Sequence, residues 1–178
     1  MQYYGPYPYG NEYMRPPMPN HPPMLPQDPY TYPHNLPLAL QAMKEAVEGE
    51  REKSQFYDYL ISSAPSEDQT IIKKIKDTEA KHYIFIKQIY RELTGQVLSP
   101  LQEKPFMKPR SYCDGLKRAV LAQLEAIKNH RKILFALQDR RHINMLTEII
   151  TDELMHGDLF NLLYSKNECY EEEKEKKY

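Results

Sequence analysis

Tryptophan is missing from this chain of 178 residues, cysteine occurs only twice, glycine only six times, and neither sign of charge is in excess. The near balance of 24 Lys plus Arg against 25 Asp plus Glu leaves a net charge of −1, too little to hold a nucleic acid through bulk charge. Cys113 and Cys169 form no CxxC pair, so the sequence offers no disulfide framework and no rubredoxin-like or zinc-finger site, and a reducing compartment is the simplest expectation. Met1 to Gly10 has neither the basic start nor the apolar stretch of a secretory signal peptide. No run approaches the roughly 18 apolar residues of a spanning helix. A soluble, cytoplasmic protein without a membrane partner is expected.

Proline is abundant but confined. Of 15 prolines, eleven fall between Pro6 and Pro37, and the rest are Pro65, Pro100, Pro105 and Pro109. Residues 1–36 add seven tyrosines to those prolines and contain few aliphatic residues. Such a segment cannot build a hydrogen-bonded ladder or a core, which predicts a disordered or locally polyproline-like tail. It reads either as a plain solvated extension or as an adhesive, cross-linkable one, because exposed tyrosines offer stacking surface and a site for oxidative coupling.

Beyond Pro37 the chain turns to long segments of 3.6-residue periodicity with little glycine. Pro37 suits a first helical turn, predicting a first helix over 38–63. Pro65 interrupts it, Ser66 reads as an N-cap followed by acidic residues, and Gly95 is a C-terminal stop, giving a second helix over 66–94. Residues 95–111, with three prolines, are too long for a tight hairpin and predict a crossover. A third helix over 112–137 and a fourth over 140–165, capped by Asp139, complete a domain of 37–165. A charged tail is expected over 166–178. The fold predicted is an all-α four-helix bundle, two αα-hairpins joined by one long crossover between the second and third helices.

The inward stripe of the second helix reads Ile72, Ile75, Glu79, His82, Ile86, Ile89, Leu93, and that of the fourth reads Leu146, Ile149, Glu153, His156, Phe160, Leu163. Each carries a Glu-x-x-His pair inside an otherwise aliphatic face. On the first helix the stripe Ala39, Met43, Ala46, Glu50, Ser54, Tyr57, Ile61 centres on Glu50. Glu50 and Glu79 lie about equally far from the turn between their helices, so they should meet at one height. On the third helix the stripe Leu116, Val120, Gln123, Ile127, His130, Leu134, Leu137 puts Gln123 inward and turns Glu125 outward, with Glu125 retained as the alternative occupant of that slot.

Three carboxylates and two imidazoles at one level of an apolar core would cost several kcal/mol per uncompensated ion, roughly. No Lys or Arg lies on these stripes to offset them. Raised pKa values relieve part of the cost, and bound cations relieve more. Carboxylate and imidazole donors suit iron, manganese or zinc.

With EGEREKSQFY in the first helix, EAKH in the second and ELMH in the fourth, residues 38–165 resemble the ferritin-like superfamily, on its rubrerythrin and manganese-catalase side. That resemblance implies one or two iron or manganese ions, with Glu50, Glu79, His82, Gln123, Glu153 and His156 in the ligand positions. Gln123 departs from the family's glutamate and leaves one negative charge fewer. The implied activity is redox chemistry on peroxide or dioxygen, with electrons for any peroxidase turnover drawn from a redox partner, and homo-oligomers are a feature to expect. Tyr57 either hydrogen-bonds at the centre or fills the core. The competing expectation is a non-enzymatic structural protein with a relic metal site, for example one associated with a bacterial spore coat.

Overall fold

The computed structural model describes residues 35–99 and 105–170, and most of the tail expected over 1–36 lies outside them. Those residues form five α-helices and no strand: α1 Leu36–Glu48, α2 Glu50–Ser63, α3 Ser66–Thr94, α4 Tyr112–Phe135 and α5 Arg140–Lys166. The architecture is an all-α helical bundle. None of the described helices is long and apolar enough to cross a membrane.

The first predicted helix is two. Gly49, at φ −89° and ψ 2°, separates α1 from α2, and its carbonyl accepts the amide of Lys53 at 2.9 Å as α2 restarts. Glycine is among the weakest helix formers, so this is where a long helix gives way. The break resets the phase of the inward face. α1 buries Ala39, Ala42, Met43 and Val47, and α2 buries Tyr57 and Leu60, while Ser54 of the expected stripe is exposed.

Helices α3 to α5 begin and end close to where local signals put them. Ser111 accepts the amide of Asp114, and Asp139 accepts those of Arg141 and His142, so both serve as N-caps. Gly95 closes α3 in the left-handed conformation, φ 72°, its amide donating to the Arg91 carbonyl. Ser66 is the first helical residue of α3 and not its cap; that position falls to Pro65. At Gly115 a Cβ would stand 2.5 Å from Leu60 Cδ2, so the approach of α4 to α2 depends on the missing side chain.

The core has two apolar clusters. One gathers Met43, Val47, Ile86, Ile89, Ile133, Leu146 and Ile149, the other Leu60, Ile72, Ile75, Leu116, Phe160 and Leu163. The sequence positions between them carry the buried polar residues Glu79, His82, Gln123, His130, Glu153 and His156.

Cys113 and Cys169 form a disulfide across 56 residues of sequence. This corrects the expectation that the two cysteines offer no disulfide framework and removes the ground for reading a reducing compartment from them. Motif spacing tests only neighbours in sequence, whereas this bridge joins the first turn of α4 to the segment after α5. The same segment is anchored at more points than a solvated tail would be. Lys166 Nζ lies 2.7 Å from Asp68 Oδ1, Asn167 Nδ2 donates to Asp68 Oδ2 at 2.8 Å, and Cys169 is fully buried. Residues 171–178 lie outside the described part of the chain.

Candidate metal centre

Side chains one turn apart on a helix share a face, so each Glu-x-x-His pair presents a carboxylate and an imidazole together. α3 brings Glu79 and His82, α5 brings Glu153 and His156, and all four are at most 4% exposed. Gln123 and His130 come from α4 and Tyr57 and Lys53 from α2.

Glu79 is richly solvated by protein. Its Oε1 accepts from Gln123 Nε2 at 2.9 Å and Tyr57 OH at 3.2 Å, and His156 Nδ1 stands 3.2 Å away. Its Oε2 lies 3.6 Å from Lys53 Nζ. Burial alone would raise the Glu79 pKa, but the Lys53 ammonium and the bonds from His156 and Gln123 together hold the carboxyl far below the usual carboxylate range. Tyr57 OH also accepts from Gln123 Nε2, at 3.1 Å, so the tyrosine takes part in the polar layer besides packing on Phe160.

Glu153 is in the opposite situation. It is fully buried, and neither of its oxygens accepts a hydrogen bond from the described residues. The nearest nitrogens, His82 Nδ1 at 3.4 Å and His130 Nδ1 at 3.8 Å, are themselves without hydrogen-bond partners. Burial pushes the Glu153 pKa up, the Glu79 charge adds to that, and proximity to His82 and Lys53 offsets only part. His82 Nε2 lies 3.1 Å from Asp152 Oδ2, a carboxylate that orients the ring. Burial lowers the His82 pKa, yet the two acids Glu153 and Asp152 raise it overall. Burial brings His130 down to about 3, so its ring is neutral.

Ligand atoms of Glu79, Glu153 and His156 lie within 4.8 Å of one another, all three buried, so this trio could hold a metal ion. The donor set fits a borderline or hard divalent cation, and the unpartnered Glu153 carboxylate is the kind of group such a cation satisfies.

Five of the six residues expected at the centre, Glu79, His82, Gln123, Glu153 and His156, are buried in this layer. Glu50 is not with them. It pairs with Lys87 on the surface side of α2, its side chain 39% exposed. Glu125 is exposed and pairs with Lys128 at 3.0 Å. The residue that sequence reasoning missed is Lys53, which occupies the place expected to lack any cation. Its signal was Gly49: counted from a fresh start there, Lys53, Tyr57 and Leu60 fall on one face at i, i+4 and i+7. A surface cavity of about 570 Å³, lined in part by Phe56, Phe106, Met107 and Arg118, reaches both Lys53 and His130 and so abuts the centre.

Fold and site together define a helical bundle with a buried carboxylate–imidazole cluster suited to a cation. No protein-family model matches the chain, and no curated protein does. Among solved structures, the chain is similar to a conserved hypothetical protein from Mycobacterium tuberculosis, with a TM-score of 0.63 and 10% sequence identity over 74% of this chain and 93% of that one. At that identity the likeness speaks for the fold alone.

Proposed function

We propose that this protein is a ferritin-like metal-binding bundle whose centre, carrying iron or manganese, reacts with peroxide or dioxygen. The observation that carries this reading is Glu153, a fully buried carboxylate with no hydrogen-bond donor, set among Glu79, His82, His130 and His156. Glu79, Glu153 and His156 would hold the ion, which when bound supplies a change of oxidation state and open positions for the oxidant. Gln123 and Tyr57 fix the Glu79 carboxylate by hydrogen bonds. Asp152 holds the His82 ring. Ile75, Ile86, Ile149 and Phe160 exclude water from either end of the layer, and the cavity at Lys53 and His130 is the route for a small oxidant. A chain with only two cysteines, bonded to each other, carries no rubredoxin-type site, so peroxidase turnover would draw electrons from a partner protein and disproportionation of peroxide would need none.

A second reading, a structural protein with a degenerate site, is favoured by Lys53, which already neutralises Glu79, and by Gln123 in place of a carboxylate. Metal analysis of the purified full chain, followed by peroxide consumption, separates the two. Iron or manganese at near-stoichiometric level with peroxide consumption that a chelator removes is expected. Metal without such consumption supports the structural reading, and a metal-free protein that takes up no added divalent ion overturns the metal-binding reading and leaves a helical scaffold whose site is fully degenerate.

A further inference from the structure

We propose that His130 is a metal ligand, forming with His82 and Glu153 a second cation position beside the one offered by Glu79, Glu153 and His156. The inference rests on the reading that Glu153 holds a metal, and adds a ligand outside the two Glu-x-x-His pairs.

The ground is a coincidence of unsatisfied atoms. His82 Nδ1, His130 Nδ1 and both Glu153 oxygens are buried without hydrogen-bond partners among the described residues, on side chains of residues that are 4%, 6% and 0% exposed. Each such atom forfeits the hydrogen bonds it had in water, and native proteins hold few of them. Here they converge: His82 Nδ1 lies 3.4 Å and His130 Nδ1 3.8 Å from the same oxygen, Glu153 Oε1. Donors around a tetrahedral ion at about 2.1 Å stand roughly 3.4 Å apart, a spacing that His82 Nδ1 meets from Glu153 Oε1 and that His130 Nδ1 approaches.

The tautomer of His82 sharpens the point. Asp152 Oδ2 lies 3.1 Å from Nε2 and, when ionised, can only accept, which places the proton on Nε2 and leaves a lone pair on Nδ1 facing a carboxylate oxygen. Two lone pairs held face to face call for a positive group between them. A second proton on His82 would satisfy that pair alone and leave His130 Nδ1 unpartnered. A divalent cation takes all three donors.

Only the trio Glu79, Glu153 and His156 has its ligand atoms mutually within 4.8 Å among the described residues, so filling the second position draws the His82 and His130 rings, each already close to Glu153, toward one another. The two positions then differ in kind. The first has two carboxylates and one imidazole, the second two imidazoles and one carboxylate. Imidazole-rich sites favour zinc, cobalt(II) or iron(II) over harder ions, so the second position is the one for a borderline divalent cation.

Cobalt(II) titration of the full chain, followed by absorption spectroscopy and equilibrium dialysis, tests this. The unmodified protein should bind two equivalents, and His130→Ala and His156→Ala should each bind one. His130→Cys should gain a thiolate-to-cobalt charge-transfer band in the near ultraviolet, a signal that appears only if position 130 ligates and that does not depend on His130→Ala folding. Uptake of one equivalent by the unmodified protein, unchanged in His130→Ala and with no new band in His130→Cys, would overturn the role of His130 and leave the first position standing. No cobalt in any form would overturn the metal-binding reading itself.

Discussion

Lys53 Nζ stands 3.6 Å from Glu79 Oε2, an ammonium placed against one of two buried glutamates while the other, Glu153, has no such neighbour within ion-pair distance among the described residues. The asymmetry follows from the helix break at Gly49, which turns Lys53 inward and Glu50 outward. One anion is thus neutralised from within the chain, and the other is left to a proton or a cation.

Replacing Lys53 by methionine keeps the length of the stem and removes the charge. Metal-free protein should lose about 1–3 kcal/mol, less than for a fully buried pair because the lysine side chain is 37% exposed. Divalent ions should bind more tightly, since Glu79 then needs a cation from outside. Chemical denaturation and competition with a chelator measure the two effects. Unchanged metal affinity would show that Lys53 and the metal do not compete for Glu79.

Gln123→Glu puts a carboxylate 2.9 Å from Glu79 Oε1, where an amide now donates. Two carboxylates at that separation cannot both ionise freely. Metal-free stability should fall by about 1–3 kcal/mol, with recovery on adding manganese(II) or iron(II). A variant whose melting temperature ignores those ions would place residue 123 outside the coordination sphere.

Asp68 gives the clearest pH dependence. It is fully buried and receives Lys166, Asn167 and the Tyr112 hydroxyl. Burial would raise its pKa, but the bonds from Lys166, Asn167 and Tyr112 outweigh it and bring the carboxyl below its ordinary 3.8. A carboxyl with a depressed folded value stabilises above its unfolded pKa and loses that contribution as pH falls through the folded one. Acid unfolding of Asp68→Asn should therefore begin from a stability about 1–3 kcal/mol lower at neutral pH and show a weaker slope below pH 4, roughly. Equal slopes in the two proteins would remove Asp68 from the acid response.

Reduction of the Cys113–Cys169 bridge frees a loop closed across 56 residues. The chain-entropy relation puts the loss near 4 kcal/mol, about what a loop of that length contributes. Melting with and without reductant, beside the Cys113→Ser, Cys169→Ser double variant, checks the value. Reductant should have no effect on the double variant.

Much of the bundle was legible from neighbours in sequence. The second predicted helix, 66–94, has the bounds of α3, and Gly95 and Asp139 mark ends where backbone amides and carbonyls need partners. The two Glu-x-x-His pairs are inward because aliphatic residues one turn either side of them must be buried. Those are facts of helical spacing, complete within a few residues.

What lay beyond the sequence was every decision made by partners far apart in it. A heptad count carried through Gly49 set Glu50 facing inward, and only packing of α2 on α3 and α4 showed Lys53 taking the inner face. Cys113 finds Cys169, and Asp68 finds Lys166 and Asn167, because α3 and α4 start beside the end of α5. Local periodicity fixes which residues share a face of one helix. The rotation of that face, and so the charge placed against Glu79, is settled by packing energy between helices, which no short window of sequence contains.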